Sequence, residues 1–213
     1  MGIDQIWTSF FRRKEPLVPS VKRRFMGMIG ISLLGIAFGA FFVSRQSVQE
    51  GLEVSFQLEH YAPREKGEWL SCVGESFAAV LPYFGMLLLC GMTMFGGAAV
   101  PFVLFFHGLG LGTILGCLYR YFGWNGVGYS LGMVLPHGFF TIVLFVLVGI
   151  ESLRFSRRLT LQTLEWKPPE GSSRLAWKKY LLRCGIYGAG LLLVSILDAT
   201  AVVLCGDWFR LGV

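Results

Sequence analysis

Hydrophobic positions in this chain run in long blocks, not in short alternations. Five blocks stand out, at residues 25–43, 77–95, 98–119, 127–150 (with an edge to 153) and 181–205. Each holds roughly 19–25 residues, enough for an α-helix to cross about 30 Å of hydrocarbon. The pattern predicts an all-α fold, a polytopic membrane helix bundle of five spans. The second and third blocks are separated only by Gly96-Gly97, which predicts a tight turn there.

The polar stretches between the blocks set the orientation. Residues 1–24 carry Arg12, Arg13, Lys14, Lys22, Arg23 and Arg24, and the 154–180 loop with its edge carries Arg154, Arg157, Arg158, Lys167, Arg174, Lys178, Lys179 and Arg183. Together these are 14 of the 19 Lys and Arg. The 44–76 segment instead sets Arg45, Arg64 and Lys66 against six glutamates, from Glu50 to Glu75. Five spans place the two basic stretches on one side, so the positive-inside rule predicts N-in and C-out, with 120–126 an outer turn and 206–213 an outer tail. The formal net charge of +6 is then an orientation signal that meets anionic lipid at the inner leaflet, and no nucleic-acid partner is needed to explain it. The first block has a basic flank but lacks a small-x-small cleavage site, so it is expected to be an uncleaved anchor.

Three polar segments have patterns of their own. Ile3, Ile6, Trp7, Phe10 and Phe11 fall at helical spacing ahead of Arg12-Arg13-Lys14, which fits an amphipathic helix on the inner leaflet or one packed under the bundle. In the outer segment, Leu52, Val54, Phe56 and Leu58 alternate with polar residues as a strand would, while Val48, Leu52 and Phe56 equally fit a helical stripe. Residues 167–173, Lys-Pro-Pro-Glu-Gly-Ser-Ser, form a turn-rich connector.

Composition narrows the function classes. At 54% hydrophobic and 15% charged, the chain excludes intrinsic disorder and an ordinary cytosolic enzyme, whose polar surface could not cover so much apolar material. The five cysteines, Cys72, Cys90, Cys117, Cys184 and Cys205, have no zinc or redox spacing; Cys72 is placed outside the membrane and the others act as small hydrophobes.

Most of the 28 glycines fall in the spans, where small residues let helices approach closely. Gly35 and Gly39 are four apart, as are Gly108, Gly112 and Gly116, and Gly128 and Gly132. The longest row gives span three a flat groove and predicts it to be the central helix. Homodimerisation through one of these rows is the alternative use.

Ionisable groups at membrane depth are functional candidates by default. His107 lies mid-span in span three, His137 mid-span in span four, Asp198 in the outer part of span five and Glu151 at the inner end of span four. Pro136 removes a backbone hydrogen bond and disfavours helical geometry at Leu135, so span four is predicted to be Pro-broken. His137 then either caps the loose carbonyl or, at a similar depth to His107, forms a facing pair in a proton path or partner site. Two isolated histidines and a distant carboxylate do not make a metal site, and no cofactor motif is present. No nucleophile stands beside a base, so no catalytic residue is assigned and the protein is expected not to be an enzyme.

The run Phe105-Phe106-His107-Gly108-Leu109-Gly110-Leu111-Gly112, followed by Phe122-Gly123-Trp124-Asn125-Gly126 and Leu135-Pro136-His137-Gly138, resembles the stage II sporulation protein M family. The match in order and spacing covers roughly residues 80–205, and the N-terminal span with its polar outer segment extends it to most of the chain. Members look like five-span proteins with a Gly-rich helix, a Leu-Pro-His-Gly motif one helix later and an acid in the last span, here Asp198. Thr141 stands where many carry a glutamate, and His107 where many carry an asparagine. Those departures fit a scaffold better than an active site. The resemblance implies a cell-membrane protein of the mother-cell septal or engulfing membrane, working with two membrane-anchored peptidoglycan hydrolases during engulfment. His107, Gly108, Gly112, Trp124, Asn125, Gly126, Pro136, His137, Gly138 and Asp198 are the motif or partner-binding candidates. A small transporter or channel component using His107 and His137, with Asp198 beside the path, is the competing reading.

Overall fold

The computed structural model describes residues 19–45, 69–164 and 173–205. The readings for the N-terminal amphipathic segment, the strand-or-helix stretch at 52–58 and the Pro-Pro connector fall outside these residues. The described residues form five long helices: α1 (Pro19–Arg45), α2 (Trp69–Met92), α3 (Gly96–Tyr129), α4 (Leu135–Leu164) and α5 (Ser173–Cys205). All five are long and apolar enough to cross a bilayer, over Lys22–Arg45, Trp69–Met92, Gly96–Arg120, Leu135–Thr160 and Trp177–Val203.

Two boundaries differ from the hydropathy reading. Residues 69–76, assigned above to the outer segment, are the first two turns of α2, and Cys72 among them is fully buried. Their inward-facing side chains make a helical stripe that a polar flank hides from a block average. The apolar helix in α4 starts at Leu135 and runs to Thr160, later than the 127–150 block.

The turn between α2 and α3 is also displaced. Thr93–Phe95 reverses the chain, and Gly96-Gly97 opens α3. Gly96 is where the chain crowds: a Cβ there would overlap the Cys90 carbonyl oxygen and lie 2.8 Å from Ser156 Oγ. Ser156 in turn donates to the Thr93 carbonyl at 2.6 Å, which ties the turn to α4.

The central helix is α4, not α3 as the glycine row suggested. It packs against α1, α2, α3 and α5, and 56% of its membrane window is buried, against 22–33% for the other four. A glycine groove allows one neighbour to come close, whereas centrality needs bulky apolar residues facing several neighbours at once. Phe145, Val146, Val148, Ile150 and Leu153 fill that role, and they join Leu87, Val100 and Leu104 in the main core.

The groove on α3 holds α1. A Cβ on Gly108 would overlap the Ser32 carbonyl oxygen, one on Gly112 that of Ile36, and those on Gly35 and Gly39 the carbonyls of Phe105 and Leu109. Both helices thus present bare backbone, the closest approach side chains allow. These two glycine rows serve packing within the chain. Gly132, by contrast, is exposed and Gly128 half-buried.

The Gly96–Tyr129 helix is itself broken by a kink at Gly123, at φ +54° and ψ −129°, just beyond the end of span three at Arg120. A Cβ there would meet nothing within 4 Å, so the requirement for glycine is conformational and not steric. Gly123→Ala is expected to destabilise the bundle by about 1–3 kcal/mol. Equilibrium unfolding in mixed micelles checks this, and an unchanged stability would show that the backbone does not need the glycine.

Pro136 proves to be the second residue of α4, at the start of span four and not in its middle, and the distortion beside it is a π-helical turn, Ser130–Val134, and not an unwound gap. Leu135 keeps helical geometry at φ −67° and ψ −44°, and its N–H bonds the Ser130 carbonyl. The wider turn absorbs the proline's missing donor and ring while keeping the backbone paired, as the hydrocarbon requires. Pro136 itself is exposed on the outside of the bundle.

Candidate functional site

The helix directions bring two sets of polar groups into the bundle, one toward each membrane face. The first lies at the Trp69 end, the side expected to be outer. Asp198 of α5 is 3% exposed, and its Oδ2 accepts a hydrogen bond from the Ser76 hydroxyl of α2. His137, in the first turn of α4, holds Nδ1 3.7 Å from Asp198 Oδ1. One carboxylate therefore links three helices. Tyr129 is 2% exposed, and Trp69 Nε1 donates to Thr200 Oγ1 at 3.3 Å. Thr141, buried at the departure from the family pattern, donates to the His137 carbonyl at 2.8 Å.

The histidines do not form a facing pair at one depth. His107 is buried between α2 and α4, edge-on to Tyr83 at 5.2 Å and to Phe145 at 4.7 Å between centroids. His137 precedes Phe145 by eight residues on α4, which places it about 12 Å further toward the Trp69 end. His107 is held by aromatic edges, and His137 by the carboxylate.

The remaining sequence candidates divide by location. Gly108 and Gly112 form the α1–α3 contact described above, and Gly138 is buried with a Cβ position 3.4 Å from Leu111 Cδ1. Trp124 is 85% exposed and Asn125 exposed, while Gly126 is buried where a Cβ would overlap the Leu118 carbonyl oxygen. Trp124 and Asn125 are thus at the surface, whereas Asp198 is buried.

A second set lies at the opposite end. Glu151 Oε1 accepts from Arg154 at 2.8 Å, and Oε2 from Arg183 of α5 at 2.9 Å. Beside it Tyr180 donates to the Leu88 carbonyl at 3.1 Å and stands 3.1 Å from Ser152 Oγ. Gly91 makes room, since a Cβ there would overlap the Tyr180 hydroxyl. Phe155 stacks on the Tyr180 ring with centroids 4.6 Å apart.

Sequence reasoning missed Ser76, Ser152, Ser156 and Tyr180. A signal existed in each case, a hydroxyl inside or beside an apolar block, but hydroxyls in membrane helices so often bond their own preceding turn that the signal is weak. Ser32 and Ser195 do just that, donating to Met28 and Leu191 carbonyls at 3.2 and 3.1 Å. The carboxylate called distant from the histidines is the one that meets His137. Among the described residues no group of three or more His, Cys, Asp or Glu is placed to hold a metal ion.

Chemically, the Asp198 cluster can hold helices in register and hold a proton. It carries serine, histidine and aspartate, but in another order from a hydrolytic triad. There the imidazole stands between serine and carboxylate and takes the serine proton. Here the carboxylate stands between the other two, and Ser76 donates to it.

The family model described as Stage II sporulation protein M matches residues 28–203. No curated protein and no solved structure matches the chain.

Proposed function

Because the chain belongs to the stage II sporulation protein M family, and is thus a sporulation-related, multi-pass membrane protein, we propose that it is a non-enzymatic scaffold for cell-wall hydrolases. In this reading it gathers membrane-anchored peptidoglycan hydrolases at the mother-cell septal membrane during engulfment, with the N-terminus inside and the C-terminus outside. The observation that supports it best is how the buried polar groups are used. The carboxylates of Asp198 and Glu151 are both engaged by side chains of other helices, Ser76 and His137 in one case and Arg183 in the other. Such cross-helix ties fix a bundle's shape, which a platform for partners needs and a turnover cycle does not.

The test is affinity purification of the full-length protein from sporulating cells. Wall hydrolases are expected among the bound proteins, and Glu53→Lys with Glu59→Lys in the outer segment should reduce their recovery at least fivefold. Recovery of no wall hydrolase would sink the scaffold reading.

One observation favours the alternative, a proton or solute path. His107, His137 and Asp198 follow one another from mid-bundle toward the Trp69 end, the last two 3.7 Å apart. If His107→Ala and His137→Ala leave the bundle folded yet abolish sporulation, while deletion of residues 46–68 has no effect, transport is the better account.

A further inference from the structure

The end of the bundle opposite the Asp198 cluster concentrates positive charge among the described residues. The described parts of α4 and α5 carry Arg154, Arg157, Arg158, Arg174, Lys178, Lys179 and Arg183 there. Among the described residues the acid at that end is Glu151, and both its oxygens are taken, by Arg154 and Arg183. Arg157, Arg158, Lys178 and Lys179 are exposed.

Register makes the concentration tighter than the sequence suggests. Ser152 meets Tyr180, and Phe155 meets Trp177 with ring centroids 5.4 Å apart, so the two helices run antiparallel with these levels matched. Continued outward, the same register sets position 154 level with 178, and 158 level with 174. Basic positions of the two helices thus fall at matching levels, and like charges held at matching levels on packed helices favour an anion nearby.

One turn further along α5 the surface changes character. Leu181, Leu182 and Ile186 are exposed and apolar, and Trp177 stands half-covered at the junction. A basic step above an apolar wall is complementary to a molecule with an anionic head and hydrocarbon tails. Soluble phosphate would use only the first, and a peptide would not follow the wall into the membrane.

We propose that the α4–α5 end binds an anionic phospholipid, with its headgroup phosphate against Arg157, Arg158, Lys178 and Lys179 and its chains along Leu181, Leu182 and Ile186. The bound phosphate neutralises the facing cations and so acts as a clamp between the central helix and α5. This surface is independent of the scaffold reading and stands whether or not a hydrolase binds elsewhere.

The test uses the full-length protein in non-ionic detergent, titrated with dioleoyl-phosphatidylglycerol or dioleoyl-phosphatidylcholine and read by native mass spectrometry. Phosphatidylglycerol should bind the tighter, and Arg157→Gln/Arg158→Gln/Lys178→Gln/Lys179→Gln should weaken it by roughly fivefold for each charge removed. Lys22→Gln/Arg23→Gln, exposed cations on α1, should change it less than twofold. If the fourfold variant loses helical structure, the pair Arg158→Gln/Lys179→Gln carries the same comparison. Equal binding of the two lipids, wild-type binding by a folded variant, or full displacement by glycerol phosphate, which lacks chains, would each overturn the proposal.

Discussion

Gly112→Ala should destabilise the bundle by about 3 kcal/mol, a large effect for a single added methyl group. A Cβ at this position would overlap the Ile36 carbonyl oxygen and sit 2.7 Å from its carbonyl carbon and 2.8 Å from its Cα. Overpacked cores usually relieve strain by rotating a side chain. Here the obstacle is the backbone of α1, itself held by Gly35 and Gly39 against α3, so the whole helix must move out. Moving it would also loosen Met28 and Ser32, which are buried further along the same helix. The control is Gly85→Ala on α2, whose added Cβ would meet nothing within 4 Å. That variant should be neutral or stabilised by up to about 1 kcal/mol, because alanine is the better helix former. Unfolding equilibria measured by steric trapping in mixed micelles separate the two. Equal stabilities would mean that α1 and α3 do not touch backbone to backbone.

The second large effect is expected at Asp198. Asp198→Ala removes the acceptor of Ser76 and the partner of His137 in one step, and should destabilise by about 3 kcal/mol, at the low end for breaking a buried charged pair. Asp198→Asn keeps an acceptor for Ser76 while losing the attraction to His137, so its effect should fall between alanine and the wild type. A double-mutant cycle isolates the pair. With His137→Ala and Asp198→Ala, the combined loss should be smaller than the sum of the single losses by at least about 1 kcal/mol. This exceeds the ~0.6 kcal/mol average for polar contacts between membrane helices, because one member can carry charge in a site that water scarcely reaches. Losses that add to within ~0.5 kcal/mol would show that the 3.7 Å approach contributes nothing.

These two positions differ in how far they can be read from the chain. The Gly108-Gly112 row announces close packing by its spacing alone, since four residues is one helical turn and glycine has no other use at that depth. Which helix fills the groove is not written in the row; Gly35 and Gly39 were candidates only because they repeat the same spacing. Asp198 announced itself as costly, but its partners did not. Ser76 sits 122 residues away, at the polar edge of an apolar block, where composition averaged it into the outer segment. His137 was noticed for the proline beside it, and its apparent partner was the other buried histidine, His107, which proves to be enclosed by Tyr83 and Phe145 instead.

The same division holds for the distortion beside Pro136. A proline in a membrane helix must disturb the ladder, and that much follows from its missing donor. The form of the disturbance depends on what surrounds it. Here the preceding residues take a π-helical turn, packed against α3, α4 and α5, which keeps the Ser130 carbonyl paired with the Leu135 N–H.

By itself the sequence determined the solvent, the number of spans and the sites of closest packing. Each of these follows from local quantities: the length of an apolar run, the spacing of glycines and the placement of Lys and Arg. Tertiary structure alone decided that α4 is the central helix, that α1 fills the glycine groove of α3 and that Asp198 joins Ser76 to His137. Those outcomes depend on which helix faces come together. In a bilayer, apolar faces are nearly equivalent to lipid, so the choice among neighbours rests on shape and on a few polar contacts that no local pattern records.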